Sequence, residues 1–147
     1  MQLGPNVKIT RVIGYTTVGT AAVVGTTLDM QDFEGVLFIA EIGTVTDGSP
    51  GVKAQGGALA NGGDAADLAG TDTADVAAAA SGQAVVLDVY EPLERYITPV
   101  VTRGGSTGCI VDNVIAIQYG AKARPTVNDA TTVAATVEVV SPAYGTA

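Results

Sequence analysis

Residues 32–42, Asp32-Phe33-Glu34-Gly35-Val36-Leu37-Phe38-Ile39-Ala40-Glu41-Ile42, set a turn directly ahead of the most hydrophobic run in the chain. The run from Val36 to Ile42 is short, bounded by a turn and rich in β-branched and aromatic side chains, which is the pattern of a strand. Its near-continuous hydrophobicity predicts a central strand buried on both faces.

Outward from that run the chain keeps the same grammar. Residues 7–15 alternate, with Val7, Ile9, Ile13 and Tyr15 on one face, Lys8 and Thr10 on the other, and Arg11 as an exception on the apolar face. Residues 16–29, rich in Thr, Val and Gly, leave room for a weaker strand. On the other side, Asp47-Gly48 and Pro50-Gly51 predict a hairpin into residues 52–55. Residues 56–82 dissolve into Gly, Ala and Asp and read as a long surface excursion. Within it a short helix is expected over 74–80, with Thr73 as its cap and Ser81-Gly82 as its stop.

Order returns at residues 84–90, with Val85, Leu87 and Val89 on one face and Asp88 and Tyr90 on the other. Residues 95–103 are extended but carry Pro99, which cannot donate to a ladder and predicts a sheet edge or a bulge. Gly104-Gly105-Ser106-Thr107-Gly108 reads as a hairpin turn into residues 109–119, where Cys109, Val111, Ile115, Ile117 and Tyr119 alternate with Asp112 and Gln118. Val133, Val137 and Val139 allow one last strand before Ser141-Pro142. Many short strands between turn clusters, with no long amphipathic helix, predict an all-β fold: one antiparallel β-sandwich or jelly-roll-like domain over 1–147, with residues 1–6 and 126–147 as extended arms.

Composition argues about function. The chain has no histidine, no tryptophan and one cysteine, so the usual proton carrier at neutral pH and the commonest metal ligand are missing, and neither an enzyme nor a cofactor is expected. A net charge of −8 with only 7 Lys and Arg argues against nucleic acid as a partner, since binding to a phosphate backbone depends on such cations. No run of apolar residues reaches the ~18 needed to span a bilayer as a helix, so no membrane partner is expected. Cys109, followed by Ile110 and Val111, reads as a small core residue.

Candidate chemical groups resolve into plainer ones. Asp64, Asp67, Asp72 and Asp75 lack the alternation that wraps a calcium ion and read as a solvated acidic loop. Glu91 and Glu94 resemble a glycosidase pair only superficially; flanking Pro92, they predict a turn in which one of them contacts Arg95. The Gly104–Gly108 segment has no Gly-Lys-Ser/Thr after it and no helix to hold a phosphate. Arg95, Arg103, Lys122 and Arg124, the positive charges of the second half, are the candidates for meeting acidic groups on a partner, against a plainer reading as solvated strand-end charges.

The run from Asp32 to Ile39, Ala66-Asp67-Leu68-Ala69-Gly70, Arg95-Tyr96-Ile97-Thr98-Pro99-Val100-Val101, and Ile117-Gln118-Tyr119-Gly120 with Arg124-Pro125 resemble a family of small tailed-bacteriophage virion proteins, those acting as capsid decoration, or cement, proteins. The likeness covers the chain from about Asp32 onward and lies in strand and turn patterns. It implies a homo-oligomer, dimeric or trimeric, on the outer surface of a phage head that stabilises contacts between subunits of the major capsid protein. A head–tail adaptor or tail component is the structural alternative. A glycan-binding module acting through residues 56–82 is another, disfavoured by the shortage of aromatic platforms.

Overall fold

In the computed structural model, which describes residues 2–139, the sandwich is organised by one bent ribbon. The strands in chain order are β1 (Lys8–Ile13), β2 (Thr16–Gly19), β3 (Val23–Val24), β4 (Leu28–Asp29), β5 (Gly35–Val45), β6 (Gly51–Gly57), β7 (Ala66–Asp67), β8 (Ala84–Tyr90), β9 (Tyr96–Thr102) and β10 (Cys109–Tyr119). β5 pairs with β10 from Gly35 opposite Tyr119 to Val45 opposite Cys109. Both strands then cross together to the other layer, where β6 pairs with β9 from Gly51 opposite Thr102 to Gly57 opposite Tyr96. The first sheet has the order β1-β10-β5-β8, with β2 also on β10; the second has the order β3-β9-β6-β7, with β4 also on β9. All pairings among the described residues are antiparallel, and the inner faces meet in an apolar core around Phe38, Ile42, Val52, Ile97, Val101, Val111 and Val114, each fully buried.

The two turn clusters read as hairpins are corners of this ribbon. Asp47-Gly48 through Pro50 joins β5 to β6, and Gly104–Gly108 joins β9 to β10, each connecting strands of different sheets. Turn-forming residues reverse or bend a chain equally well, so their identity does not say which sheet the next strand joins. The corners lie side by side, and the Asp47 carboxylate locks them by accepting from the backbone N–H groups of Ser106 (3.0 Å), Thr107 (2.9 Å) and Gly108. Gly108 has φ +83°, and a Cβ there would sit 1.9 Å from the Gly19 carbonyl oxygen, so this corner requires glycine.

Pro99 lies inside its sheet and in unbroken register with Ala54 of β6, at neither the edge nor the bulge expected. β9 is flanked by β6 on one side and by β3 and β4 on the other. The Pro99 carbonyl accepts from the Gly25 N–H at 2.9 Å, so its ring nitrogen, which points the same way, faces β3 and β4. There the neighbouring strand is split: β3 ends at Val24, β4 begins at Leu28, and the Thr26 N–H turns instead to the Val12 carbonyl of β1. The missing donor thus breaks the neighbour and leaves β9 whole.

A bulge changes which residues of β10 face inward. Val111 pairs with Ile42 and Asn113 with Glu41, so Asp112 is an extra residue and the alternation inverts beyond it. Cys109 and Val111 face the core as expected, but Val114, Ala116 and Gln118 follow them inward while Ile115, Ile117 and Tyr119 turn out. The same inversion applies at β1, where Thr10 and Val12 are buried and Ile9 stands with exposed Arg11 on the outer face. β5 is central but is buried on one face only: Val36, Phe38, Ala40 and Ile42 are fully buried, Leu37 and Ile39 half-buried, and Glu41 exposed, because no second layer among the described residues packs on the outer side. β8 keeps its expected faces, with Leu87 and Val89 buried and Asp88 and Tyr90 exposed.

The excursion after β6 runs back along its free edge. Thr71 and Thr73 hydroxyls accept from the N–H groups of Ala54 (3.1 Å) and Val52 (2.9 Å), and the N–H groups of Leu68 and Thr73 donate to the carbonyls of the same two residues. Thr73 therefore covers a strand edge and caps no helix. The expected helix shrinks to one 3-10 turn, Ala78–Ala80, since Val76 is held to the Pro50 carbonyl and is buried. Residues 126–132 similarly cover the edge of β1: Asn128 Oδ1 and Thr132 Oγ1 accept from the Ile9 and Arg11 N–H groups. No strand forms over residues 133–139, where Val137 is 84% exposed. Ser141-Pro142 and the rest of the expected arm lie outside the described residues.

Candidate interaction surface

The outer face of the first sheet carries a connected apolar field. The registers align Ile9, Ile117, Leu37 and Asp88 in one row across β1, β10, β5 and β8, and Arg11, Ile115, Ile39 and Val86 in the next. Six aliphatic side chains thus stand together, five half-buried by their own neighbours and Val86 57% exposed. Charge is confined to the margins at Arg11, Asp88 and Glu41, the last accepting from Asn113 Nδ2. Tyr119 closes one end: its ring lies over Gly35, where a Cβ would come within 2.4 Å, and its hydroxyl donates to Asp88 at 2.6 Å. Burial and the Asp88 carboxylate both push the Tyr119 phenol well above its ordinary pKa, so it stays a donor.

A second feature lies at the end of the sandwich opposite the Asp47 corner. The turn between β8 and β9 and the segment ahead of β5 enclose an open cleft of about 450 Å³, lined by Met30, Phe33, Glu34, Glu91, Leu93 and Glu94 among others. Leu93 is fully exposed at the tip of the turn, and Glu91 adopts φ +46°, a conformation uncommon for a side-chain-bearing residue. Glu34, Glu91 and Glu94 share the cleft's lining with Arg95 and Lys122.

The four cations singled out from sequence do not converge on one site. Arg95 and Lys122 both border the cleft, whereas Arg103 lies at the opposite end of the ribbon. Arg95 is engaged by Asp29, through Nε (2.9 Å) and Nη2 (2.6 Å), and by neither Glu91 nor Glu94. This pairing holds the Asp29 carboxyl below its ordinary pKa, and the guanidinium also lies 5.0 Å from the centre of the Tyr96 ring. Arg103 donates to the carbonyl oxygens of Ala21, Thr17 and Cys109, tying β2 and the chain after it to the corner. Lys122 Nζ donates to the Gln31 carbonyl. Arg124 is exposed and makes no ion pair among the described residues.

Asp64 and Asp67 of the acidic loop are engaged internally as well, whereas Asp72 and Asp75 are exposed. Asp64 accepts from the N–H groups of Ala58 and Leu59, and Asp67 pairs with Lys53 at 2.6 Å and with Gln55. These contacts hold both carboxyls below their ordinary pKa. Among the described residues no group of three His, Cys, Asp or Glu side chains is placed to hold a metal ion. Burial pushes the Cys109 thiol upward, which makes it a weaker nucleophile. The apolar field was missed in the sequence because the bulge at Asp112 moves Ile115 and Ile117 outward, and no residue type announces that bulge.

Comparison with known proteins finds no matching family model, no matching curated protein and no matching solved structure.

Proposed function

We propose that this chain is a capsid decoration protein, lying on the outer surface of a tailed-phage head and stabilising contacts between subunits of the major capsid protein. The observation that carries the reading is the outer face of the first sheet, where Ile9, Leu37, Ile39, Ile115, Ile117 and Val86 form an apolar field without a covering layer among the described residues. A contiguous apolar patch rimmed by polar residues is the mark of a protein contact surface. The charged side chains point the same way: Asp29, Asp47, Asp64, Asp67 and Arg103 hold this chain's own loops and strands together.

The net charge fits an outward position, because a chain at −8 inside the head would face packaged DNA of like charge. The likeness of residues 32–39, 66–70, 95–101, 117–120 and 124–125 to decoration proteins supports the same reading. Cementing then works by covering this apolar field against the shell, with many copies acting together. The experiment compares heads with and without the protein under heating and at low ionic strength. Heads lacking it should rupture at lower temperature, and adding back the purified chain should restore them; equal rupture with and without it would overturn the reading.

A further inference from the structure

β8 is the one long sheet edge that the described residues leave open. The edge of β1 is covered by Asn128 and Thr132, and that of β6 by β7 together with Thr71 and Thr73. The edge formed by β3 and β4 consists of two strands of 2 residues each, too short to template another strand. β8 runs for 7 residues and, among the described residues, pairs only with β5.

Its geometry shows which backbone groups are open. The Glu91 N–H donates to the Glu34 carbonyl, so odd-numbered residues of this segment turn their polar backbone toward β5. The N–H and C=O groups of Ala84, Val86, Asp88 and Tyr90 therefore point away from the sheet, and no hydrogen bond reaches them among the described residues. The strand is rich in valine, and its one charge, Asp88, is held by the Tyr119 hydroxyl across β5. Natural edges are commonly protected by a charge that stands over them; here that charge is drawn back onto its own sheet.

We propose that β8 pairs with β8 of a second copy, antiparallel and two-fold symmetric about Leu87, so that the first sheets of two chains become one continuous sheet. Symmetry requires outward residues to face outward residues. Centring on Leu87 satisfies this over the whole strand, with Val86 opposite Asp88 of the partner subunit and Ala84 opposite Tyr90 of the partner subunit. Centring on Asp88 would set two like charges against each other, and centring on Val86 would shorten the ladder. The pairing also joins the two apolar outer faces side by side. It rests on the strand edge alone and stands apart from the virion reading.

The test uses the purified full chain. Light scattering and sedimentation should give twice the mass of one chain. Val86→Pro should return the single-chain mass while keeping the strand content of the folded chain, because the N–H it removes has no partner among the described residues. Oxidising a mixture of the Val86→Cys and Asp88→Cys proteins should yield a disulfide between them, since directly opposed hydrogen-bonded residues lie about 5.5 Å apart at Cα, within disulfide reach. If Val86→Pro fails to fold, the mixed disulfide decides alone. A single-chain mass at every concentration, a threefold mass, a folded Val86→Pro protein that stays double, or a double mass without the mixed disulfide would each overturn the proposal.

Discussion

Arg95 and Asp29 are held in a two-pronged ion pair, 66 residues apart in sequence, that fastens the end of β4 to the start of β9. The pair is about half exposed, which sets its energetic scale. Arg95→Met should lower stability only slightly, as for exposed ion pairs in general. It should leave attachment to heads unchanged, because this cation is already engaged within its own chain. Unfolding in urea and a head-binding assay check the two halves of that expectation.

Asp47 links stability to pH at the ribbon corner. The amides of Gly108, Thr107 and Ser106 hold its carboxyl below the ordinary value of 3.8. A carboxyl lowered in the folded state stabilises fully above its unfolded value, and that contribution is lost as pH falls through the folded one. Asp29, Asp64, Asp67 and Asp129 are shifted in the same direction. The thermal midpoint should therefore fall steeply once pH drops below about 4, and Asp47→Asn should be less stable at neutral pH with a shallower acid limb. Parallel acid limbs for the two proteins would contradict the corner lock.

Neighbouring positions on β5 should separate folding from attachment. Phe38 is fully buried, and Phe38→Ala should cost about 3–5 kcal/mol. Ile39, half-buried on the outer face, should tolerate lysine with a small loss of stability, yet Ile39→Lys should abolish attachment to heads by placing a charge in the apolar field. Denaturant midpoints and binding to heads, measured on both variants, give the comparison.

Gly25 passes directly over Pro99. A Cβ there would sit 2.8 Å from Pro99 Cγ and 3.0 Å from Ile13 Cγ1, in a place where both layers meet. Gly25→Ala should destabilise by about 1–3 kcal/mol, the usual range for overpacking. A thermal midpoint equal to that of the unaltered chain would show that the split between β3 and β4 is loose.

Deleting everything beyond Pro125 should do more than remove an arm. It uncovers the Ile9 and Arg11 N–H groups, now capped by Asn128 and Thr132, and leaves β1 as a second open edge. The shortened chain should be less stable than the full one and should aggregate. Light scattering on heating distinguishes the two.

The sequence carried the strands better than their neighbours. Residues 84–90 and 109–119 match β8 and β10, because alternation and bounding turns are local signals. What alternation could not reveal was a change of phase: the extra residue at Asp112 inverted the faces of β10, and with them the position of Ile115 and Ile117. The corners at Asp47 and at Gly104–Gly108 were legible as turns, yet the choice of sheet depends on a distant strand. Thr71, Thr73, Asn128 and Thr132 act as edge covers through contacts that no spacing encodes. The same holds for Arg95 and Arg103, whose partners were invisible until the sheets were assembled.

A reconstruction of the assembled virion decides whether the apolar field is covered by a shell. Density for this chain should appear in many copies on the outer surface of the head, with Leu37, Ile39, Ile115 and Ile117 turned against the shell. Density confined to the portal or tail, or a head-bound chain whose first sheet faces solvent, would contradict that placement.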